Sequence, residues 1–281
     1  MAMGWQGDLY LTPFKDDQGQ ELWELLVCTD DGILLCNEYC PAAHVNQDWL
    51  IEQLRPLMEP GNEFNELRCE VFRPQSLALF KAAGEVLNFN VIPTRRTLAL
   101  KALLKDKAAS YFHDGARYNP TIVEELPPTP LPENLWGDEW RFATLPGGDL
   151  IEAFRDRPIP YLHLPETLWP INLGLSSAVP VPGIIVYGGK KSQAIAQWVQ
   201  TAQPHYIKYM ITEIGVSGGL VCGHGLNQRS ILATFTDSDI AQAGKNFEQK
   251  KEASQGLHFL LLQPDDSGVT YTGMWLLAPD H

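Results

Sequence analysis

The stretch from residue 183 to residue 192, GIIVYGGKKS, has the residue types best suited to binding an anion. It departs from the phosphate-binding loop of nucleotide triphosphatases, GxxxxGK[ST], because one extra residue intervenes and IIVY is typical of a strand. Backbone N–H groups at a helix start, flanked by Lys190, Lys191 and Ser192, can still bind one phosphate of a polynucleotide. The alternative is that both lysines are simply solvated. The stretch therefore predicts a contact to a single phosphate and argues against nucleotide hydrolysis.

A second group of basic residues surrounds the start of a predicted helix in the acidic half of the chain. Arg95 and Arg96 stand near the helix start, and Lys101 and Lys105 share one of its faces. Cations at a helix start oppose the helix dipole, so we expect them to have a negatively charged partner. That partner is either an external phosphate or an acidic residue of the same domain.

Further candidate contacts to an anion or a base lie apart from one another in the second half of the chain. Arg229 precedes a predicted strand, and Lys250 and Lys251 lie near the end of a predicted helix. Aromatic faces that could stack on unpaired bases belong to Tyr187, Trp198, Tyr206 and Tyr209. Aromatic residues on strands and amphipathic helices are more often part of the core, so we expect most of these rings to be buried.

Two patterns could indicate a metal site. The cysteines and histidine of residues 36–44 have a CxxxCxxxH spacing without a second ligand pair, and buried structural cysteines are the commoner case. Asp8, Glu52 and Glu70 fall on the first strand, first helix and fourth strand, where a ribonuclease H-like nuclease holds two metal ions. A chain with 34 acidic residues produces such a match by chance. We expect no metal and no cofactor, and keep a metal-dependent nuclease as the alternative function.

The predicted elements place these residues in an α/β (α+β) protein with two mixed-sheet domains. Residues 1–112 contain strands at 8–13, 22–29, 33–39, 66–72 and 89–92, with helices near 46–58, 74–87 and 94–107. Their order, βββαβαβα, is that of a ribonuclease H-like domain, which says nothing about activity.

The remaining chain is predicted to form a connector and a second domain. Residues 113–182 are rich in proline but also in large apolar residues, so we expect them to wrap over the folded domains rather than form a disordered tether. Residues 183–281 begin with a strand and a helix, include a helix capped by Asp237 or Ser238, and end in a hairpin of strands 257–262 and 269–277. The first strand of this hairpin is almost wholly apolar, which predicts burial on both faces.

Composition limits the kind of partner. The formal net charge is −13, with 12 Lys and Arg against 23 Asp and Glu in residues 1–150 and 9 against 11 in the remainder. Any RNA contact must therefore be a local patch rather than a general positive field.

Five cysteines without CxxC pairs favour a reducing compartment, and no apolar run is long enough to span a bilayer. Because the first predicted strand begins near residue 8, we expect neither a secretory signal nor a transit peptide on this sequence.

Eight short blocks are distributed along the whole chain: WQGDLY (5–10), WELLVC (23–28), FRPQ (72–75), PTRRT (93–97), GDEWRFATLPGGDL (137–150), RPIPYL (157–162), PGIIVYGGKKS (182–192) and the C-terminal FEQKK to TYTGMWLL (247–277). Together they resemble the Tab/Atab family of RNA-binding translation factors from chloroplasts and cyanobacteria. The family usually has an Arg-Trp pair where this chain has Arg229 and Ser230, so the second position here offers no aromatic ring for stacking.

The resemblance implies a non-enzymatic protein that binds the single-stranded leader of photosystem I messengers, chiefly that of the B-type reaction-centre polypeptide. It also implies roles in translation regulation and photosystem biogenesis, with translation or assembly proteins as possible partners. The expected location is the cytoplasm of a cyanobacterium, or the chloroplast stroma for a processed plant or algal form. A third hypothesis is a scaffold for photosystem assembly whose tryptophans, Trp136 and Trp169, dock another protein.

Overall fold

The computed structural model describes residues 4–58, 67–109, 111–113, 116–211 and 217–279. The chain divides into two compact units, which meet along the chain between Glu124 and Glu125. The predicted α/β class is confirmed, while the predicted division into three segments stays a prediction. Among the described residues, no helix is both long and apolar enough to cross a lipid bilayer.

The first unit contains one large mixed sheet and one small hairpin. Its strands are β1 (Gly4–Lys15), β2 (Glu21–Thr29), β3 (Leu34–Pro41), β4 (Arg68–Val71), β5 (Asn90–Pro93), β6 (Phe112–His113) and β7 (Ala116–Arg117). Its helices are α1 (Gln47–Leu54), α2 (Pro74–Leu87) and α3 (Leu98–Ala108). The predicted order of three strands followed by alternating helices and strands is therefore present.

The large sheet of the first unit has the strand order β3-β2-β1-β4-β5. β1, β2 and β3 are antiparallel because tight turns join them, whereas β4 and β5 run parallel to β1, with α2 crossing between them. Alternation of side chains along β1 sends Leu9 into the core shared with α1 and α2, and Tyr10 into the core shared with α3. The central strand is consequently buried on both faces.

The second unit contains two sheets. Its strands are β8 (Thr129–Pro130), β9 (Glu139–Pro146), β10 (Tyr161–His163), β11 (Pro180–Tyr187), β12 (Pro204–Ile211), β13 (Gly218–His224), β14 (Gln228–Phe235), β15 (His258–Gln263) and β16 (Gly273–Leu277). Its helices are α4 (Gly147–Leu150), α5 (Ser192–Ala202) and α6 (Ser238–Ala253). One sheet has the order β10-β16-β15-β11-β9 and the other β12-β13-β14-β8.

β15 lies at the centre of the first of these sheets, and all six of its residues are buried, as its apolar sequence predicts. Leu260 packs with α5 and α6 on one face. Leu261 packs on the other face with apolar residues of the proline-rich stretch between residues 150 and 179. That stretch therefore covers the sheet of its own unit. The second hairpin strand is shorter than predicted, because Val269 is 79% exposed and lies in the connecting turn.

Candidate nucleic-acid interface

The glycine-rich turn before α5 uses most of its polar groups internally. The N–H groups of Gly188 and Gly189 donate to the carbonyl oxygens of Gln263 and Pro264, both at 2.9 Å. The buried hydroxyl of Ser192 lies 2.9 Å from the carbonyl oxygen of Gly189 and 3.2 Å from that of Gln263. These bonds fasten the turn to the end of β15, so the three groups are occupied within the protein.

The two lysines of this turn differ in their surroundings. Lys191 Nζ lies 3.2 Å from Asp138 Oδ1, and both side chains are partly exposed. Lys190 is exposed to solvent. A surface ion pair of this kind contributes little to stability, yet it offsets the positive charge that the turn could offer a phosphate. Lys190 is therefore the better placed of the two for an external anion.

Lys101 lies inside the first unit rather than on its surface. It is 3% exposed, its ammonium donates to the carbonyl oxygen of Arg95 at 2.7 Å, and it lies 5.4 Å from the ring centroid of Phe72. Lys105, one turn further along α3, is exposed, so it is the more accessible of the two lysines to an external phosphate. Arg95 is half-buried and Arg96 exposed.

The predicted stacking face of Tyr187 is covered. The ring is 5% exposed, Arg141 Nε donates to its hydroxyl, and the Arg141 guanidinium carbon lies 4.7 Å from the ring centroid. Arg229 also has internal contacts, because its Nε donates to the carbonyl oxygen of Leu126 at 2.6 Å and its Nη1 lies 3.6 Å from Glu125. Neither side chain is left open to stack on a base without rearrangement.

Lys250 and Lys251, adjacent on α6, have opposite environments. Lys250 is partly exposed and donates to the hydroxyl of Thr144 at 2.9 Å. Lys251 is 9% exposed and donates to Glu248 and to the carbonyl oxygen of Ile207, each at 2.9 Å. Desolvation lowers the pKa of Lys251, and the charge of Glu248 acts in the opposite direction. Lys251 thus joins α6 to β12 instead of facing solvent.

The structure brings together a basic site that the sequence did not suggest. A groove of about 590 Å³ runs between α6 and β12. It is lined by Lys208, Tyr209, Met210, Ile211, Lys245, Glu248 and Gln249. Lys208 and Lys245 are both exposed and are separated by 36 residues of sequence. The sequence contains one signal of this site: Lys208 lies between the apolar Ile207 and Tyr209, a pattern that predicts an exposed lysine on a strand. The sequence does not tell which helix packs beside that strand.

The three carboxylates of the nuclease hypothesis differ in burial and in hydrogen-bond partners. Asp8 is fully buried and accepts bonds from Arg73 at 2.9 and 3.0 Å. Glu52 is exposed, and Glu70 is half-buried and accepts from the amide of Gln6 at 3.2 Å. In the part of the chain that the structure describes, no three His, Cys, Asp or Glu side chains lie together in a way that could hold a metal ion.

The two cysteines of the CxxxCxxxH spacing have the surroundings of core residues. Cys36 and Cys40 are buried, whereas His44 is exposed. Burial raises the pKa of the Cys36 thiol to about 11, which keeps it protonated at neutral pH. The structure thus fixes the exposure of every predicted contact, while their role in RNA binding stays a prediction.

Comparison with known proteins adds evidence of kinship. The model of a family described as "RNA-binding protein Tab2/Atab2 N terminal" matches residues 4–107, and that of "RNA-binding protein Tab2/Atab2, C-terminal domain" matches residues 118–278. A Zea mays protein named "Protein TAB2 homolog, chloroplastic" is 27% identical over 280 residues, covering 97% of this chain and 70% of the relative. An Arabidopsis thaliana protein of the same name is 25% identical over 280 residues, covering 97% and 74%.

No solved structure matches the chain. The ribonuclease H-like assignment of the first unit therefore stays a prediction based on element order.

Proposed function

Because the chain belongs to the Tab2/Atab2 family of RNA-binding proteins, we propose that it binds a single-stranded messenger leader and promotes translation of photosystem I messengers. The observation that carries this proposal is the match of the two family models to residues 4–107 and 118–278, which leaves little of the chain outside the family. The photosystem I messenger, and the leader of the B-type reaction-centre polypeptide in particular, rest on the family resemblance.

We place this activity in the cytoplasm of a cyanobacterium or in the chloroplast stroma. The two relatives are named as chloroplastic, which supports a photosynthetic setting. The motifs quoted from residues 5 to 277 support the same setting, because they resemble those of the chloroplast and cyanobacterial factors. Translation or photosystem assembly proteins are the partners that we expect to accompany the RNA.

The proposal is tested by titrating the full chain against labelled leader RNA of the B-type reaction-centre messenger at low and moderate salt. We expect binding at micromolar protein or below in low salt, weakened by added salt because phosphate contacts release counterions. A double-stranded form of the same leader serves as the control and should bind more weakly, since unpaired bases are the targets of sequence-specific RNA recognition. Absence of binding at micromolar protein in low salt would reject direct RNA binding.

We further propose that the protein acts by binding and not by cleavage. The arrangement of Asp8 supports this, because its carboxylate is engaged by Arg73 and Ser76 inside the first unit. Incubation of labelled RNA with the protein and Mg²⁺ or Mn²⁺ should leave the RNA intact. Cleavage that is lost in a folded Glu70→Gln or Asp8→Asn variant would overturn this and favour the nuclease.

A further inference from the structure

We propose that the groove between α6 and β12, flanked by Lys208 and Lys245, is a contact site for the phosphate backbone of single-stranded RNA. This inference rests on the proposed function and adds the location of the binding surface. The groove, of about 590 Å³, is shallow and open to solvent, which suits an extended strand better than an enclosed small molecule. Its seven lining residues all belong to the described part of the chain.

The charges of the groove favour an anion. Lys208 and Lys245 are exposed, so their ammonium groups can reach a ligand without loss of an internal bond that the structure shows. Glu248 is the acidic residue among the lining groups. One of its oxygens accepts from the N–H of Tyr209 at 2.7 Å, and the other lies 2.8 Å from the ammonium of Lys251. The Lys251 charge offsets that of Glu248, so the two exposed lysines set the sign of the groove.

The lining also suits a nucleic acid rather than a small inorganic anion. Ile211, at the end of β12, is 54% exposed, and Met210 is partly exposed. Single-stranded RNA combines a charged backbone with exposed base faces. Ile211 and Met210 offer apolar surface to such a base beside the two lysines. The amide of Gln249 can in addition donate to or accept from a base or a ribose hydroxyl.

The edge of β12 argues against an extended peptide as the occupant. β12 is the outer strand of its sheet, and such an edge can bind a peptide by adding a strand. Its N–H groups at Ile207 and Tyr209 instead donate to His258 Nε2 and to Glu248, both at 2.7 Å. The carbonyl oxygen of Ile207 accepts from Lys251. With these three groups bonded, an added strand cannot pair continuously along Ile207 and Tyr209, so we assign recognition in the groove to side chains.

The test uses the full chain, with Lys208→Gln and Lys245→Gln singly and together. Lys81→Gln is the matched control, because Lys81 is an exposed helical lysine of the first unit. Fluorescence anisotropy with labelled oligouridylate and with the leader RNA gives the Kd over a series of salt concentrations. We expect the double variant to bind several-fold more weakly at low salt. The slope of log K against log salt should become shallower by about 0.7 for each phosphate contact removed.

The outcomes separate the site from the function. Wild-type binding that persists unchanged in the double variant would overturn this site and leave RNA binding standing. Absence of wild-type binding to either RNA would overturn the proposed function and the site with it. Equal binding of an oligoglutamate peptide and oligouridylate, both lost in the double variant, would overturn the RNA assignment and identify a site for acidic peptides. An unchanged melting temperature in the variants shows that lost binding is not lost folding.

Discussion

The lysines near α6 have the same side chain but differ in burial, and burial decides what each of them can bind. Lys251 is 9% exposed and bonded to Glu248 and a carbonyl oxygen of β12, so its charge is consumed in joining two elements. Lys208 and Lys245 are exposed beside the same groove. Only a cation that keeps its hydration until a ligand arrives can exchange water for phosphate, and this is why exposure decides which lysines are candidates.

Asp8 and Arg73 form a buried ion pair whose disruption we expect to be costly. Asp8→Ala should lower the free energy of unfolding by about 3–5 kcal/mol, because the guanidinium of Arg73 would remain buried without its carboxylate. Urea unfolding of wild type and variant measures this loss. The matched control is Asp30→Ala, which removes the partly exposed pair of Asp30 with Arg68 and should cost about 1 kcal/mol or less. Equal losses in the two variants would contradict the assignment.

His258 gives the second unit a dependence on pH. The ring is fully buried, its Nδ1 donates to the carbonyl oxygen of Gly256 and its Nε2 accepts from the N–H of Ile207, both at 2.7 Å. This fixes one neutral tautomer, and burial lowers the pKa of His258 to about 3. In the unfolded chain the pKa is near 6.5, so below that value the unfolded state binds more protons. The stability from neutral His258 is complete above about pH 6.5 and is lost progressively as the pH falls toward 3.

We therefore expect His258 to account for about 2 kcal/mol of the stability lost between about pH 7.5 and about pH 5, at 1.36 kcal/mol per pKa unit. The variant His258→Gln should be less stable at neutral pH and should show a shallower decline toward pH 5. Urea unfolding at the two pH values measures both effects. His44→Gln, which changes an exposed histidine, should keep the wild-type decline. The same decline in His258→Gln as in wild type would refute this assignment.

At the scale of elements, α6 organises the second unit and presents Lys245. Its first turn is held by Asp237, whose carboxylate accepts from the N–H groups of Asp239 and Ile240 at 2.7 and 3.1 Å. Phe247 on the same helix is buried in the core shared with α5 and both sheets. A helix fixed at its start and along one face keeps the backbone of Lys245 beside β12, and the exposed side chain can reach a ligand from there.

Removal of this cap should weaken the helix without touching the groove. Asp237→Ala should lower the free energy of unfolding by about 1 kcal/mol, because two N–H groups of the first turn lose their acceptor. Asp237→Asn keeps a capping side chain and should lose at most a few tenths. Chemical denaturation compares the two, with RNA affinity under conditions where both variants are folded as a second readout. A loss in Asp237→Asn as large as that in Asp237→Ala would show that the cap bond is not the cause.

At the scale of the whole molecule, the net charge of −13 opposes the approach of RNA. Repulsion acts over the Debye length, about 10 Å at 0.1 M salt, whereas a lysine contact acts only after docking. Association and dissociation should therefore respond differently to salt. The protein belongs to an RNA-binding family despite a charge that gives no attractive steering, so its contacts must be local.

We expect the association rate constant with leader RNA to lie at or below the order of 10⁵–10⁶ M⁻¹s⁻¹ that is typical without steering, and to rise as salt is added from low concentration. The cause is that salt screens the repulsion, while dissociation accelerates because phosphate contacts weaken. Stopped-flow fluorescence at several ionic strengths measures both rates. Asp17→Asn with Glu52→Gln, which removes two exposed charges, should raise association at low salt and leave dissociation unchanged. A steep fall of the association rate with salt would contradict this view.

The amino-acid sequence by itself determined the features that depend on neighbours along the chain. The bounds of α2 at Pro74 and Leu87, the cap at Asp237 and the buried strand around Leu260 all follow from proline placement, capping side chains and apolar runs. The start of the last strand was predicted wrongly, because Val269 is a β-branched residue that favours a strand but lies in the turn before β16. The family resemblance was likewise visible in the sequence, and the matches to the two family models confirm it.

Only the tertiary structure decided which charged side chains remain at the surface. The pairing of Asp8 with Arg73 joins residues that are distant in sequence, and Lys208 and Lys245 line one groove although they are distant in sequence. The burial of Lys101 likewise depends on how α3 packs in the first unit. The physical reason is that periodicity tells which face of an element is buried, but not which element covers it. Packing decides what lies beside a lysine on a strand or helix. A neighbouring carbonyl or carboxylate makes the lysine part of the internal hydrogen-bond network, whereas solvent leaves its charge available to a ligand.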